Sequence, residues 1–439
     1  MMATIGSQER WESVHLTERQ IQEEIGMIID RASYRLVWNR KGLAPLAVAQ
    51  LAASLTFYVP VSALFITSRG LTYGQIFWLE SILLGTMMVV DIPSGVLGDR
   101  IDRRWVIVAG YAVSAAAQVV YALSHGFRDF AFSYCLSGIG IALLSGAEQA
   151  YVYESLGDQA DQAATGVFGH FSALTIVAGV VASVSGAWIG SRDLAWPAAC
   201  AAIAACCGVV ATFFLPAQKP REPDHSEPQR GNLVSAIRSL VRSPVLIYVA
   251  FASSGGYVLF NAVYTINQPL FLGVSIPIPL WGIVGAGALG LAAVCNANAS
   301  LLEEKLGRPL ALFVGGITAG VGFSMMALHS VVTVVVGFLL VIVGWNARGP
   351  VTSAIVNRLV AAQNRATTLS AMNVLGSLAG MAINPAIGWL LDRDARLAAV
   401  GLGLAVGVIS LIWLPVAHRY LVPTDPRRQV SDGRRFPMD

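Results

Sequence analysis

Gly95-Val96-Leu97-Gly98-Asp99-Arg100-Ile101-Asp102-Arg103-Arg104 sets five charges in six residues, Asp99 to Arg104, between two long apolar runs. Charges that dense do not sit in hydrocarbon, so the stretch reads as a tight polar hairpin at one face of a membrane. A weaker copy, Ser300-Leu301-Leu302-Glu303-Glu304-Lys305-Leu306-Gly307-Arg308, follows about 205 residues later. Two charged hairpins half a chain apart point to a duplicated membrane protein.

Composition agrees. The chain is 55% hydrophobic and 13% charged, with a mean hydropathy of +0.63, where a soluble domain carries roughly 25% charged residues. The net charge of +3 gives no sign of a nucleic-acid partner; where the charges fall matters more. Residues 1–42 are polar and mixed in charge, without the basic-then-apolar pattern of a cleavable signal peptide. Cys135, Cys200, Cys206, Cys207 and Cys295 all fall inside apolar runs without metal-ligand spacing, so they read as packed thiols rather than a disulfide framework or metal site.

A membrane span needs about 20 apolar residues. Twelve candidates are legible, at roughly 44–67, 74–97, 105–124, 130–153, 166–190, 194–215, 245–270, 280–301, 309–328, 331–356, 367–390 and 397–417. The predicted fold is all-α, with two pseudo-symmetric six-helix bundles at 43–216 and 244–418. They are flanked by an N-terminal segment (1–42) and a tail (419–439), and joined by a polar linker (217–243) that carries a short amphipathic piece from Leu233 to Val241. All basic residues except Arg69, Arg128, Arg192, Arg393, Arg396 and the in-span Arg348 fall on the side that holds both termini, which predicts cytoplasmic termini. Residues 16–38 read as an amphipathic helix, with Thr17 and Gln20 as a capping box and Ile21, Ile25, Ile28 and Ile29 at helical spacing. It is either a membrane-surface or regulatory helix, or simply one packed on the cytoplasmic face.

The halves echo each other at near-constant offset. Gln162-Ala163-Ala164-Thr165 leads into span five as Arg365-Ala366-Thr367-Thr368 leads into span eleven, and Gly186-Ala187-Trp188 matches Ile387-Gly388-Trp389. Parallel repeats of this kind place a binding site between the halves near mid-membrane.

Twelve spans, a six-plus-six split and this hairpin resemble the major facilitator superfamily. Its signature loop between spans two and three reads Gly-x-x-x-Asp-(Arg/Lys)-x-Gly-x-(Arg/Lys)-(Arg/Lys). Gly95, Asp99 and Arg100 match it, and Arg103-Arg104 supplies its closing basic pair one residue early; Asp102 stands in place of the loop glycine, which the second copy keeps as Gly307. Asp91-Ile92-Pro93-Ser94-Gly95 resembles the lead-in of many bacterial members, and Ser145 to Leu156 resembles a span-four pattern of small residues, acid and tyrosine. Tyr134 stands where drug antiporters often carry an arginine before a Gly-x-Gly, and span five lacks their Gly-Pro pair. Both depart from ordinary multidrug antiport.

The resemblance implies alternating access by rocking of the two halves, and a conformational latch. In the family the loop aspartate faces the start of span eleven, where free N–H groups and the positive helix end await it. The loop arginines meet an acid at the cytoplasmic end of span four. Gly95, Asp99, Arg100, Arg103, Arg104 and Glu154 then form one latch, and Glu304, Lys305 and Arg308 its second copy; alternatively these charges only anchor loops to headgroups.

In-span charges cost several kcal/mol unless paired or wetted. Glu148 and Arg348 lie at similar depth in spans four and ten, and are expected either as a gate or substrate-binding pair across the central cavity, or as residues satisfied within their own halves. Asp91 and Glu80 in span two are candidates for a coupled proton, and His170 reads as a wetted span-end residue. Gln50, Thr56, Tyr58, Gln149, Tyr151, Tyr257, Asn261, Tyr264, Asn267, Gln268, Trp345 and Asn346 are the substrate-cavity candidates, or else hydrogen-bond between helices; Asn261, Tyr264 and Gln268 share one helical face.

The functional expectation is a non-enzymatic secondary transporter, monomeric and without cofactor, that moves a small organic molecule by alternating access through a cytoplasmic (inner) membrane, coupled to protons and outward in direction. The alternatives are an importer of a nutrient or organic anion with Arg348 as counter-charge, and a transporter-like sensor or scaffold. No nucleotide-binding motif is present, so ATP is not the direct driving force.

Overall fold

The computed structural model describes residues 31–218, 244–349, 351, 352, 355 and 365–421. Residues 1–30, most of the linker with its amphipathic piece, and the tail beyond 421 lie outside the described residues. The fold is all-helical. Among the described residues nine helices are long and apolar enough to cross a membrane. They supply span two (Tyr73–Arg100), three (Arg103–Leu123), four (Phe127–Leu156), five (Ala160–Gly190), six (Ala195–Thr212), eight (Ile278–Ala297), nine (within Ala299–Met326), eleven (Arg365–Arg393) and twelve (Ala395–Leu421). Pro244–Gly273 is span seven and Val331–Asn346 the described helix of span ten. Span four is 30 residues long, about 45 Å at 1.5 Å per residue, so it outruns a hydrocarbon core of about 30 Å and projects or tilts.

Span one departs from the continuous helix expected at 44–67. It is Leu43–Ala53, an irregular stretch, a 3-10 turn at Val59–Val61, and a short helix Ser62–Ser68. Pro60 is the cause: it brings no N–H and suits the first turn of a restarted helix. A break inside a membrane must satisfy its freed backbone groups from elsewhere. Here span seven does so: Gln268 Oε1 accepts from Leu64 N at 3.0 Å, and its Nε2 donates to Val59 O and to Ser62 Oγ, both at 3.3 Å.

Packing carries the duplication. Span three lies on four and on six, and in the second half nine lies on ten and on twelve. Between halves, span two lies on eleven and five on eight, the same pair under exchange of halves. Small residues permit this: a Cβ on Gly388 would lie 2.7 Å from Gly74 Cα, and one on Gly337 2.5 Å from Gly322 O. The echoed tryptophans are built alike too, with Arg192 over the Trp188 ring at 3.8 Å and Arg393 over Trp389 at 3.7 Å.

One buried cluster crosses between the halves, joining Val61, Phe77 and Leu84 to Val258, Phe271, Trp281 and Phe338. Several hydrogen bonds between the halves lie towards the face opposite the termini. Besides Gln268, they are Gly74 N to Asp392 Oδ2 (2.9 Å), Ser81 Oγ to Met381 O (3.3 Å) and Ser183 Oγ to Gly282 O (3.0 Å).

Candidate functional site

The break in span one opens onto a cavity of about 600 Å³ lined from both halves. Tyr58 stands in the break itself, its hydroxyl accepting from Gln118 Nε2 at 3.3 Å and its ring 4.7 Å from that of Tyr121. Tyr134 of span four and Asn261 and Tyr264 of span seven complete the polar and aromatic wall. Glu80 of span two also lines it, as the one charged residue among the described lining ones. It makes no hydrogen bond or ion pair with any described residue.

Of the expected cavity residues, Tyr58, Thr56, Asn261 and Tyr264 therefore line it. Gln268, on the same face of span seven, lies one turn further along and is 2% exposed, fastening span one instead of facing the cavity. Tyr151 is fully buried with its hydroxyl on Pro216 O, and Gln149 is exposed; neither lines the cavity. Asn267 is buried and outside the lining set. Nor do Trp345 and Asn346 line it: Trp345 lies beside Arg348, and Asn346 accepts from Asn296 Nδ2 at 3.2 Å. The side chain of Tyr257 lies outside the described ones. Sequence reasoning missed Gln118 and Tyr121; an amide and a phenol at i and i+3 in the outer half of span three were the available signal. Asp91 is exposed and away from the cavity, unlike Glu80.

Glu148 and Arg348 do not meet. Tyr111 Oη donates to Glu148 Oε1 at 2.6 Å and Gln50 Nε2 to Oε2 at 2.8 Å, so spans one and three hold the carboxylate within its own half. Arg348 is 5% exposed and packs against glycines of span nine: a Cβ on Gly315 would lie 2.7 Å from its Cγ. Its guanidinium sits 5.8 Å from the Trp345 ring centroid. The cross-cavity pair gives way to two arrangements internal to the halves, because neighbouring spans offer partners at closer range.

At the terminal face the signature stretch is less of a loop than its charge suggests. Span two stays helical to Arg100, so only Ile101 and Asp102 intervene before span three. The side chains of Gly95 to Arg100, including Asp99 and Arg100, lie outside the described ones. Arg103 pairs with Glu154. Arg104 does not; its Nη2 donates to Phe213 O at 3.1 Å, at the C-terminal end of span six, where a cation suits the free carbonyls.

Asp102 caps span three, its Oδ1 accepting from Arg104 N at 3.0 Å and from Gln218 N at 3.3 Å. It adopts φ −51°, ψ 119°, open to any residue, whereas Gly307 has φ 71°, ψ 159°, a region glycine alone tolerates well. The missing glycine of the first copy is thus replaced by a different turn closed by a cap. In the second copy Arg308 pairs with Glu303 at 2.6 Å, while Glu304 and Lys305 are exposed.

Unforeseen partners tie this face together. Gln218 Nε2 donates to Tyr151 O (3.1 Å) and Ser155 Oγ (2.9 Å), and Arg40 to Ser155 O and Gln159 Oε1, both at 2.6 Å. Of the expected amphipathic helix, Arg31–Asn39 is described; its Tyr34 and Trp38 meet the His170 ring edge-on at 5.4 and 6.4 Å.

The sequence profile of the Major Facilitator Superfamily matches residues 46–383, and the chain belongs to this family. Solved structures share the fold at low identity. A nucleoside transporter, NupG, matches at TM-score 0.70 and 12% identity, covering 84% of this chain and 96% of that one. A peptide transporter POT in complex with sulfate matches at 0.69 and 17%, covering 87% and 95%. A bacterial homolog of the human lysosomal transporter Spinster, inward-facing and unoccupied, matches at 0.66 and 16%, covering 86% and 95%.

Proposed function

We propose that this member of the major facilitator superfamily is a secondary transporter of a small organic molecule, exporting it in exchange for protons. Its terminal face lies in the cytoplasm, in a bacterial-type inner membrane, and the working unit is a monomer of two six-helix bundles, 43–216 and 244–418. The observation that carries the reading is the cavity of about 600 Å³ shared by both halves, with the inter-half apolar cluster and hydrogen bonds found among the described residues on the side away from the termini. That asymmetry fits a state closed outside, from which rocking of the halves exposes the cavity to the other face. Glu80, the carboxylate in the cavity, is the proton-coupling residue of this reading.

The latch reading rests on Arg103 and Glu154, which join the loop before span three to the end of span four. Asp99 would complete it at the start of span eleven. An anion importer that uses Arg348 as counter-charge draws no support from the cavity, which that residue does not line.

Flux tests the proposal. Purified protein in liposomes, with a pH gradient imposed and a panel of labelled small organic molecules offered, is expected to give accumulation that collapses with a protonophore. Gradient-driven movement with the opposite sign makes it an importer. Saturable binding with no flux for any compound makes it a sensor or scaffold and ends the transporter reading.

A further inference from the structure

We propose that the cavity binds an organic cation, with the Glu80 carboxylate as its counter-charge and tyrosine rings as the walls against which the charge lies. Four observations converge. First, the described lining carries a single sign: Glu80 is acidic, and no lysine, arginine or histidine is among the described lining residues. Second, Glu80 has no hydrogen-bond or ion-pair partner among the described residues, whereas an in-span charge is retained when something satisfies it. Glu148 shows what a structurally satisfied carboxylate looks like in this protein: two short bonds, from Tyr111 and Gln50. Glu80 is the carboxylate left facing space that a ligand can fill.

Third, Tyr58, Tyr121, Tyr134 and Tyr264 come from spans one, three, four and seven to line the same cavity. Aromatic faces attract alkylated ammonium and related soft cations, more so where water is scarce. Fourth, about 600 Å³ lies within the range of roughly 300–1,000 Å³ that holds a compact organic molecule. The cationic class deepens the transport reading and, for turnover only, rests on it.

The same carboxylate gives a route to exchange. A proton on Glu80 removes the charge that holds the cation, so cation and proton exclude one another at one site. Among the described residues the other titratable groups facing the cavity are the four tyrosines, and cation affinity therefore falls as the pH is lowered and the carboxylate protonates.

The test uses an isosteric pair of opposite charge, tetraphenylphosphonium and tetraphenylborate, with the full chain in detergent and equilibrium dialysis as readout. Saturable tetraphenylphosphonium binding is expected, weakened tenfold or more in Glu80→Gln and partly kept in Glu80→Asp, while tetraphenylborate, dialysed in a separate experiment because the two ions precipitate together, is expected to show no saturable binding. Tyr264→Phe keeps the ring and the affinity; Tyr264→Leu loses several-fold. Size-exclusion profiles and the Glu80→Asp affinity separate a lost site from a misfolded chain. Absence of saturable binding to the wild type, equal affinity in Glu80→Gln, or saturable binding of the borate with equal affinity overturns the cation site. Flux in liposomes is scored separately: cation binding without any flux keeps the site and removes transport, and flux of other compounds without cation binding does the reverse.

Discussion

The side-chain oxygen of Gln268 accepts a 3.0 Å hydrogen bond from the backbone N–H of Leu64, closing the break in span one with a residue from the other half of the molecule. The same amide donates to Val59 O and Ser62 Oγ. Any motion that parts the halves on that side must break these bonds. Removing the amide leaves buried backbone groups unpaired, at about 1–3 kcal/mol, which is roughly a 5- to 150-fold shift in a two-state equilibrium.

Gln268→Ala is therefore expected to populate the state open on the face away from the termini. Spin labels at Leu123→Cys and Leu328→Cys, both exposed at that face, in a background without the five native cysteines, read the separation of the halves. A longer-distance population is expected to grow in the variant; an unchanged distribution sinks the idea.

Glu148 works with Tyr111 and Gln50, not with Arg348. Tyr111→Phe and Glu148→Gln should each lower stability by about 1–3 kcal/mol. The double variant should lose less than the sum, with a coupling of roughly 0.5–3 kcal/mol, because the two share one bond. Exchanging the charges, Glu148→Arg with Arg348→Glu, should restore nothing lost in either single change. Recovery of folding or flux by the exchange would reinstate the cross-cavity pair.

Arg103 and Glu154 are only partly shielded, at 20% and 28% side-chain exposure, so the pair contributes at most about 1 kcal/mol to stability. Arg103→Glu or Glu154→Arg puts like charges together and should lower the thermal midpoint modestly. The double reversal should recover most of the loss, and salt should shrink the difference. If the double variant is no better than the worse single one, the two residues do not act as a pair.

Asp102 and Gly307 hold equivalent places in the two copies for different reasons. Asp102→Asn keeps a capping oxygen and should be near neutral, while Asp102→Ala should cost about 1 kcal/mol. Gly307→Ala forces a Cβ onto φ 71° and should cost roughly 1–3 kcal/mol. Thermal midpoints of the three variants check this; a Gly307→Ala midpoint equal to the wild type would mean the turn relaxes to another conformation.

The cavity was only half legible. Asn261 and Tyr264 were readable because helical spacing fixes a face, and Tyr58 because polar groups in a span invite attention. Gln268 shares that face yet fastens a neighbour, since its depth, not its azimuth, brings it to the break at Pro60. Tyr151 departs for a related reason: a polar aromatic residue in a span can face the cavity or bond to a neighbour, and only the position of Pro216 shows what its hydroxyl meets.

The chain by itself determined the spans, the duplication and the family. Long apolar runs leave the backbone no alternative to helix in hydrocarbon, and a constant offset between repeats survives in one dimension. It also determined which charges required partners. Which partner each one found was decided only in three dimensions. Arg103 reached Glu154 but Arg104 reached the end of span six, Glu148 and Arg348 turned into their own halves, and Glu80 was left facing the cavity. Pairing depends on distances of a few ångströms between helices remote in sequence, and those are set by where small residues let the helices close.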